Sequence, residues 1–502
     1  MINTTQLHKC WEYISVLRAM ERNTLAHPDK IAISDGKREL SFRQLHETAG
    51  RYACAIRSRF SGRDRCIGVM AEQSVDTIVN LLAVLYSGNH YVMVDPQMPV
   101  QMRQALLKNA AAELLITHGD PNVLTDTAAA VLVPSELDCS RSIHEELDCD
   151  SPLFVVATSG TTGIPKIIVK SCGAMSLFIE SYLRCFQLTE ADVIGNATPF
   201  YSDASAKDVY AMIYGGIRMD IIPPWFFSMP FPLIARMNEK QITMISWVPS
   251  AYAIVKRFDI FRKQSLETLR IGVFIGEDIP PDTLQYWLEH VPNARFYNTY
   301  GMSELAGICA FAQLCDAHGE RFSIGQPLEH CRLACVDEQN APAVQGRLMI
   351  CSEALAIGYR ESEKLIPLKR TALCLPNGES GLYYDSGDLC RIDSEGSYVL
   401  LGRADHQIKH LGYRIELQGV EAALLRNDNV HQAVCLFEEQ TLIAVVRLNE
   451  DTPQRRQELE SACVEQLPRY MRPSVFCYRN EMPLNRNGKI DRAGLKAIWK
   501  GK

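Results

Sequence analysis

The densest run of chemically useful groups is FVVATSGTTGIPK (154–166). Glycines let consecutive backbone N–H groups turn toward one anion, and hydroxyls add further donors. Thr158, Ser159, Gly160, Thr161, Thr162, Gly163 and Lys166 therefore suit a polyphosphate. The frame is not that of a Walker loop, because GxxxxGK[ST] fails where Lys166 follows Pro165. Taken alone, the same composition also describes a plain exposed turn. It is not alone: NTYGMSE (298–304), YDSGD (384–388), GRADHQIKHLGYRIEL (402–417) and NRNGKIDR (485–492) follow in order.

These segments need a scaffold, and composition bounds it. The chain has 502 residues, with 52 basic and 59 acidic side chains and a formal charge of −7. At about 150 residues per domain, two to four domains are allowed. Hydrophobic residues at 47% and charged residues at 22% describe an ordinary globular protein. A mildly acidic chain offers no electrostatic footprint for nucleic acid or an anionic membrane, so neither is expected as a partner. Seventeen cysteines run from Cys10 to Cys477 with no paired CxxC spacing, so neither a disulfide framework nor a zinc site is legible. Cys331 and Cys335 read as two small buried hydrophobes. The N-terminus lacks a signal peptide's basic start and apolar core. No apolar run reaches spanning length, and IIPPWFFSMPFPLIA (221–235) is broken by prolines. A reducing, cytoplasmic compartment is the expectation.

Helical and β-rich patterns alternate. SFRQLHETAGRYACAIR (41–57) opens with Ser41 and Gln44 at capping-box spacing and puts Leu45, Ala49, Tyr52, Ala53 and Ile56 on one face. VDTIVNLLAVLYSG (75–88) predicts a helix ended by Gly88, and YVMVD (91–95) a buried strand. ITMISWV (242–248) and RIGVFIG (270–276) continue the alternation, which predicts an α/β fold with parallel strands. Turn-rich stretches near 376–381 and 402–406 suggest a domain boundary, leaving about a hundred residues for a C-terminal domain.

The five motifs, in this order and over nearly the whole chain, resemble the adenylate-forming superfamily, which includes acyl-CoA ligases, luciferases and nonribosomal peptide synthetase adenylation domains. The wording GRADHQIKHLGYRIEL, QLPRYMRP and NGKIDR is most similar to amino-acid adenylation domains and D-alanine–carrier-protein ligases. The resemblance implies a large multi-subdomain N-terminal domain (1–402) and a small mobile α+β C-terminal domain (403–502). It implies two steps with ATP and Mg²⁺. A carboxylate attacks the α-phosphorus, releasing pyrophosphate, and the thiol of a phosphopantetheine arm then displaces AMP. A carboxylate facing a tetra-anion is a poor nucleophile, so the protein must neutralise charge and align the attack.

By that resemblance the 158–166 loop holds the β- and γ-phosphates, and Asn298, Tyr300 and Gly301 lie along the nucleotide, Tyr300 against adenine. Thr299 and Ser303 lie near the carboxylate or α-phosphate, and Glu304 holds Mg²⁺, a hard cation that prefers carboxylate oxygen. Asp388 accepts from the ribose hydroxyls and Arg403 adds a ribose or phosphate contact. Lys489 reaches between carboxylate and α-phosphate, offsetting developing negative charge. Asp405 is the hinge about which the small domain turns after adenylation, withdrawing Lys489 and presenting Lys409, Gly412 and Arg414 to the thiol.

The resemblance also aligns TPFYSDASAKDVYAM (198–212) with the segment opening the acid pocket. Asp203 stands where amino-acid-activating members pair an aspartate with the substrate's α-ammonium; the alternative is that it caps the following helix. Ala204, Lys207, Ser246, Val273, Ile275, Gly276, Thr299, Gly307 and Ile308 are the other implied pocket positions. Lys207 either meets a polar or acidic substrate side chain or pairs locally with Asp208. Ser202 replaces a common aromatic, and Ile167 a common glycine. The expectation is a freestanding ligase that loads an amino acid onto a separate carrier protein. Its rivals are an acyl-CoA or aryl-acid ligase on the same fold, a phosphotransferase releasing ADP, and a non-catalytic binding relative.

Overall fold

The computed structural model describes residues 12–117, 130–133, 139–158, 166–317, 322–361, 364–375, 378–404, 407–483 and 490–500. Two large sheets organise the mixed α/β N-terminal domain. The first has nine strands, whose centre runs Arg295–Gly301, Ile271–Ile275, Met244–Trp247, Val193–Asn196, Arg218–Ile221 and Ile31–Ser34, all parallel. Strands of this centre, such as Met244–Trp247, are buried throughout, as parallel strands covered on both faces should be. The second has eight strands, with Lys166–Ser171, Pro152–Thr158, His90–Val94 and Cys66–Met70 in its middle.

One hydrophobic core joins the two sheets, taking Ile67 and Val69 from one, Ile33, Met219 and Met244 from the other, and the helices between them. The helix Val75–Tyr86 buries every residue except Asp76, the signature of a helix covered on all sides. Gly88 follows its Ser87 cap in the left-handed region. The helix Phe42–Arg59 begins with the reciprocal Ser41–Gln44 capping box, a device that contributes about 1 kcal/mol, and it buries Leu45, Ala49, Ala53 and Ile56.

A third sheet contains Cys331–Val336, Gln345–Ser352, Ser380–Ile392, Arg370–Cys374 and Tyr398–Arg403. Its long strand Ser380–Ile392 corrects one expectation. The turn signal near 376–381 is a hairpin connection, because Arg370–Cys374 pairs antiparallel with Ser380–Ile392 across it. Glycine and asparagine mark a tight turn equally well inside a sheet and between domains. Beyond Arg403 lies the smaller C-terminal domain, which has the hairpin Gln407–His410/Tyr413–Glu416, a three-stranded sheet and a separate core around Ile415, Val420, Cys435 and Ala444. Among the described residues no helix is long and apolar enough to cross a membrane.

Candidate active site

The strand Arg295–Gly301 alternates its side chains between two faces and so distributes the NTYG residues. Thr299 donates its hydroxyl to the Phe274 carbonyl at 2.8 Å, and Asn298 donates to the Ser323 carbonyl at 2.8 Å. Tyr300, almost wholly buried, donates to Asp388, while Arg403 donates to the other Asp388 oxygen at 2.9 Å. The Asp388–Arg403 pair follows from register, since the two residues face each other across antiparallel strands. Burial, with the Asp388 charge beside it, pushes the Tyr300 phenol well above its ordinary range and keeps it a donor. Lys409 lies 4.9 Å from the centre of the Tyr300 ring, and its own burial lowers its pKa.

Glu304 is buried and fully occupied. Arg414 donates from one nitrogen to both carboxylate oxygens, at 3.0 and 2.9 Å, and Tyr359 donates to Oε1 at 2.9 Å. A buried acceptor-only carboxylate has the chemistry to hold Mg²⁺. Arg414 and a metal ion are therefore alternative occupants of it. The expectation that Glu304 waits for a metal is modified accordingly, because in this arrangement the small domain supplies its counter-charge.

The hairpin carrying Arg414 is built to enter the cleft. Leu411 and Gly412 both have positive φ (51° and 78°), as a two-residue turn of the twisted kind requires. Gly412 donates its N–H to Glu277 Oε1 at 3.0 Å, and a Cβ there would stand 2.6 Å from Val248 Cγ1. Tyr413 stacks on Tyr470 with centroids 3.9 Å apart and planes 9° apart, and Tyr201 lies 6.4 Å beyond in a near-parallel plane. Lys166, the last residue of the phosphate-loop motif, is 3.6 Å from Glu416. The three residues assigned to the thiol-accepting face, Lys409, Gly412 and Arg414, thus all line one cavity with Asp388 and Arg403.

That cavity, about 190 Å³, extends to Asp203, Ala204, Lys207, Ile275, Gly276, Gly301, Ser303, Gly307 and Ile308, as the pocket assignment expects. Ser246 and Val273 do not line it; both are buried in strands of the nine-stranded sheet, and Thr299 lines a neighbouring cavity instead. Gly307 has to be glycine, because a Cβ would meet the Phe178 ring at 2.2 Å.

Asp203 differs most from its expectation. Its partner is Lys170, whose Nζ lies 2.5 Å from Oδ1 and whose side chain is 0% exposed. It makes no capping hydrogen bond to the short 3-10 helix or to the α-helix that follows. Lys207 donates to the Ala204 carbonyl at 2.7 Å and lies 3.4 Å from Asp208, the local pairing that was one of its two alternatives. Asn196 donates to the second Asp208 oxygen at 3.0 Å. Lys170 was missed in the sequence, although a lysine inside the apolar strand KIIVKS is itself a signal of a buried partner. Residues 159–165, Asp405 and Lys489 lie outside the described residues, as does the side chain of Thr158.

Burial pushes the Asp203 carboxyl upward and Lys170 pulls it back. Lys170→Met removes that pull and leaves a buried carboxylate unpaired, a loss of about 3–5 kcal/mol. A carboxyl raised in the folded state favours folding only while protonated. The melting-temperature gap between Lys170→Met and the parent should therefore be widest near pH 8 and narrow toward pH 5. A gap that does not change with pH would contradict the pairing.

Residues 20–360 match the family model "AMP-binding enzyme", and residues 419–489 match the model "AMP-binding enzyme C-terminal domain". The chain belongs to the AMP-binding enzyme family. This AMP-binding enzyme is 30% identical over 491 residues to tyrocidine synthase 3 of Brevibacillus parabrevis, an alignment covering 95% of this chain and 7% of that protein. Its fold is similar to that of an artificially fused adenylation–PCP di-domain from Klebsiella oxytoca (TM-score 0.82, 20% identity, 93% of this chain and 94% of that one). It is equally similar to o-succinylbenzoate CoA synthetase from Bacillus subtilis (TM-score 0.82, 19% identity, 97% and 99%). The AMP-binding enzyme described here is an AMP-forming, adenylate-forming ligase related to nonribosomal peptide synthetase adenylation domains.

Proposed function

We propose that this ligase activates an amino acid as its aminoacyl-AMP, releasing pyrophosphate, and passes it to the phosphopantetheine thiol of a carrier protein supplied in trans. The observation that carries the amino-acid part is Asp203, a carboxylate in the wall of an otherwise largely apolar cavity that also contains Asp388 and Arg403. A carboxylate there needs a cation, and an α-ammonium brings one to the oxygen not held by Lys170.

In the adenylation step Asp388, held anionic by Arg403 and Tyr300, is the acceptor for the ribose hydroxyls. The loop ending at Lys166 faces the departing phosphates, and Lys489 offsets charge as the acid attacks. Mg²⁺ on Glu304 would neutralise phosphate oxygens once Arg414 has left it. In the transfer step Arg414 returns to Glu304, and Gly412 and Lys409 line the cleft from the small domain.

A second reading, an acyl or aryl acid lacking an ammonium, draws on Lys170, which already gives Asp203 one cation. ATP–pyrophosphate exchange over amino, aryl and fatty acids separates the two. Exchange with at least one amino acid is expected; exchange with aryl or fatty acids alone defeats the amino-acid reading. ADP in place of AMP as the product defeats adenylation itself.

A further inference from the structure

Asp203 and Lys207 are four residues apart and both line the cavity. Each is backed by an opposite charge that is not in the cavity wall: Lys170 stands behind Asp203, and Asp208 behind Lys207. Lys170, Lys207 and Asp208 are buried to 0%, 3% and 1% side-chain exposure. The wall beside them is apolar, with Leu81, Met93, Phe154 and Val209. Two ammonium and two carboxylate groups sum to zero, so the pocket carries no net charge while presenting one negative and one positive group to its occupant.

Low-dielectric walls penalise any uncompensated charge that enters. Once its reacting carboxylate points at ATP, an ordinary amino acid adds one positive charge to a pocket already in balance. A dicarboxylic acid without an amine adds one negative charge. A wholly apolar acid adds none, yet sets methylenes against two ionised groups and returns nothing for their lost hydration. A tail bearing both an ammonium and a carboxylate adds no net charge and meets both groups with the opposite sign. From this double pair we infer that the substrate is an amino-dicarboxylic acid, with its ammonium on Asp203 and its second carboxylate on Lys207.

Geometry allows both contacts. Only Oδ1 of Asp203 is taken by Lys170, and a carboxylate accepts from two cations. An ammonium has three N–H groups, and that of Lys207 gives one to the Ala204 carbonyl, with Asp208 Oδ1 at 3.4 Å. The inference rests on the amino-acid reading above and narrows it.

The test is pyrophosphate exchange by the whole chain with aspartate, glutamate and 2-aminoadipate in both configurations, each beside its side-chain amide and its des-amino acid. Neutral, aryl and fatty acids complete the panel. At least one amino-dicarboxylic acid should exceed both its amide and its des-amino partner by about a hundredfold or more in kcat/KM, because a site that binds a polar group rejects the analogue lacking it. Lys207→Gln should shrink the acid-over-amide ratio by about tenfold or more. If that variant does not fold, the wild-type panel alone decides. A neutral amino acid or an amide as best substrate overturns this inference and leaves the amino-acid reading standing. An acid without an amine as best substrate, or exchange with none, overturns both.

Discussion

Gly412→Val is expected to reduce thiol transfer by about a hundredfold while acid-dependent pyrophosphate exchange falls far less. The side chain fails at this position for two independent reasons. The residue has φ of +78°, a region that β-branched residues avoid, and its Cβ would lie 2.6 Å from Val248 Cγ1. Both penalties act on the arrangement in which the hairpin tip sits in the cleft, with its N–H on Glu277 and the neighbouring Tyr413 stacked on Tyr470. Strain of about 1–3 kcal/mol from the backbone alone, with the collision added, displaces Arg414 from Glu304. An arrangement with the hairpin elsewhere escapes the collision. Stopped-flow or single-turnover transfer from preformed acyl-AMP reads the second step, and exchange reads the first. Equal losses in both would show that the hairpin does not distinguish the steps.

Lys489→Ala is expected to do the reverse. A compact ammonium against the α-phosphate is worth about 10²–10³ in rate where one preorganised donor is removed, so exchange should fall by at least that factor. Transfer from supplied acyl-AMP should largely survive, since Arg414 and Lys409 already furnish cations to the cleft in the arrangement described. Lys489→Arg should not rescue exchange fully, because a planar fork does not replace a point charge between two anions. Loss of both steps together would refute the division between Lys489 and the hairpin.

The parts of this molecule legible in its sequence are those fixed by local chemistry. The Ser41–Gln44 capping box, the all-buried helix Val75–Tyr86 and the parallel pair Met244–Trp247/Ile271–Ile275 each follow from a short pattern. So does the Leu411–Gly412 turn, whose glycine lies within the GRADHQIKHLGYRIEL motif. Long-range partners were not legible. Lys170 and Asp203 are separated by 33 positions, and Glu304 and Arg414 by 110, so no periodicity links them. Residues 376–381 misled because a hairpin turn and a domain linker are made from the same residues. Ser246 and Val273 carried pocket assignments, but their strand positions leave them buried outside the cavity wall.

The Arg414–Glu304 contact has a consequence for metal dependence. An arginine on both oxygens of a buried carboxylate excludes a second cation from it, so metal and hairpin compete for Glu304. High Mg²⁺ should therefore favour the adenylation arrangement and slow transfer, an effect that Arg414→Ala would abolish.

The central claim is that one cleft performs two steps by exchanging what the small domain inserts into it. The most direct measurement determines both half-reactions, pyrophosphate exchange and thiol transfer from supplied acyl-AMP, on Gly412→Val and Lys489→Ala side by side. A crossed pattern is expected, with Gly412→Val defective mainly in transfer and Lys489→Ala mainly in exchange. Parallel losses in both variants would contradict it.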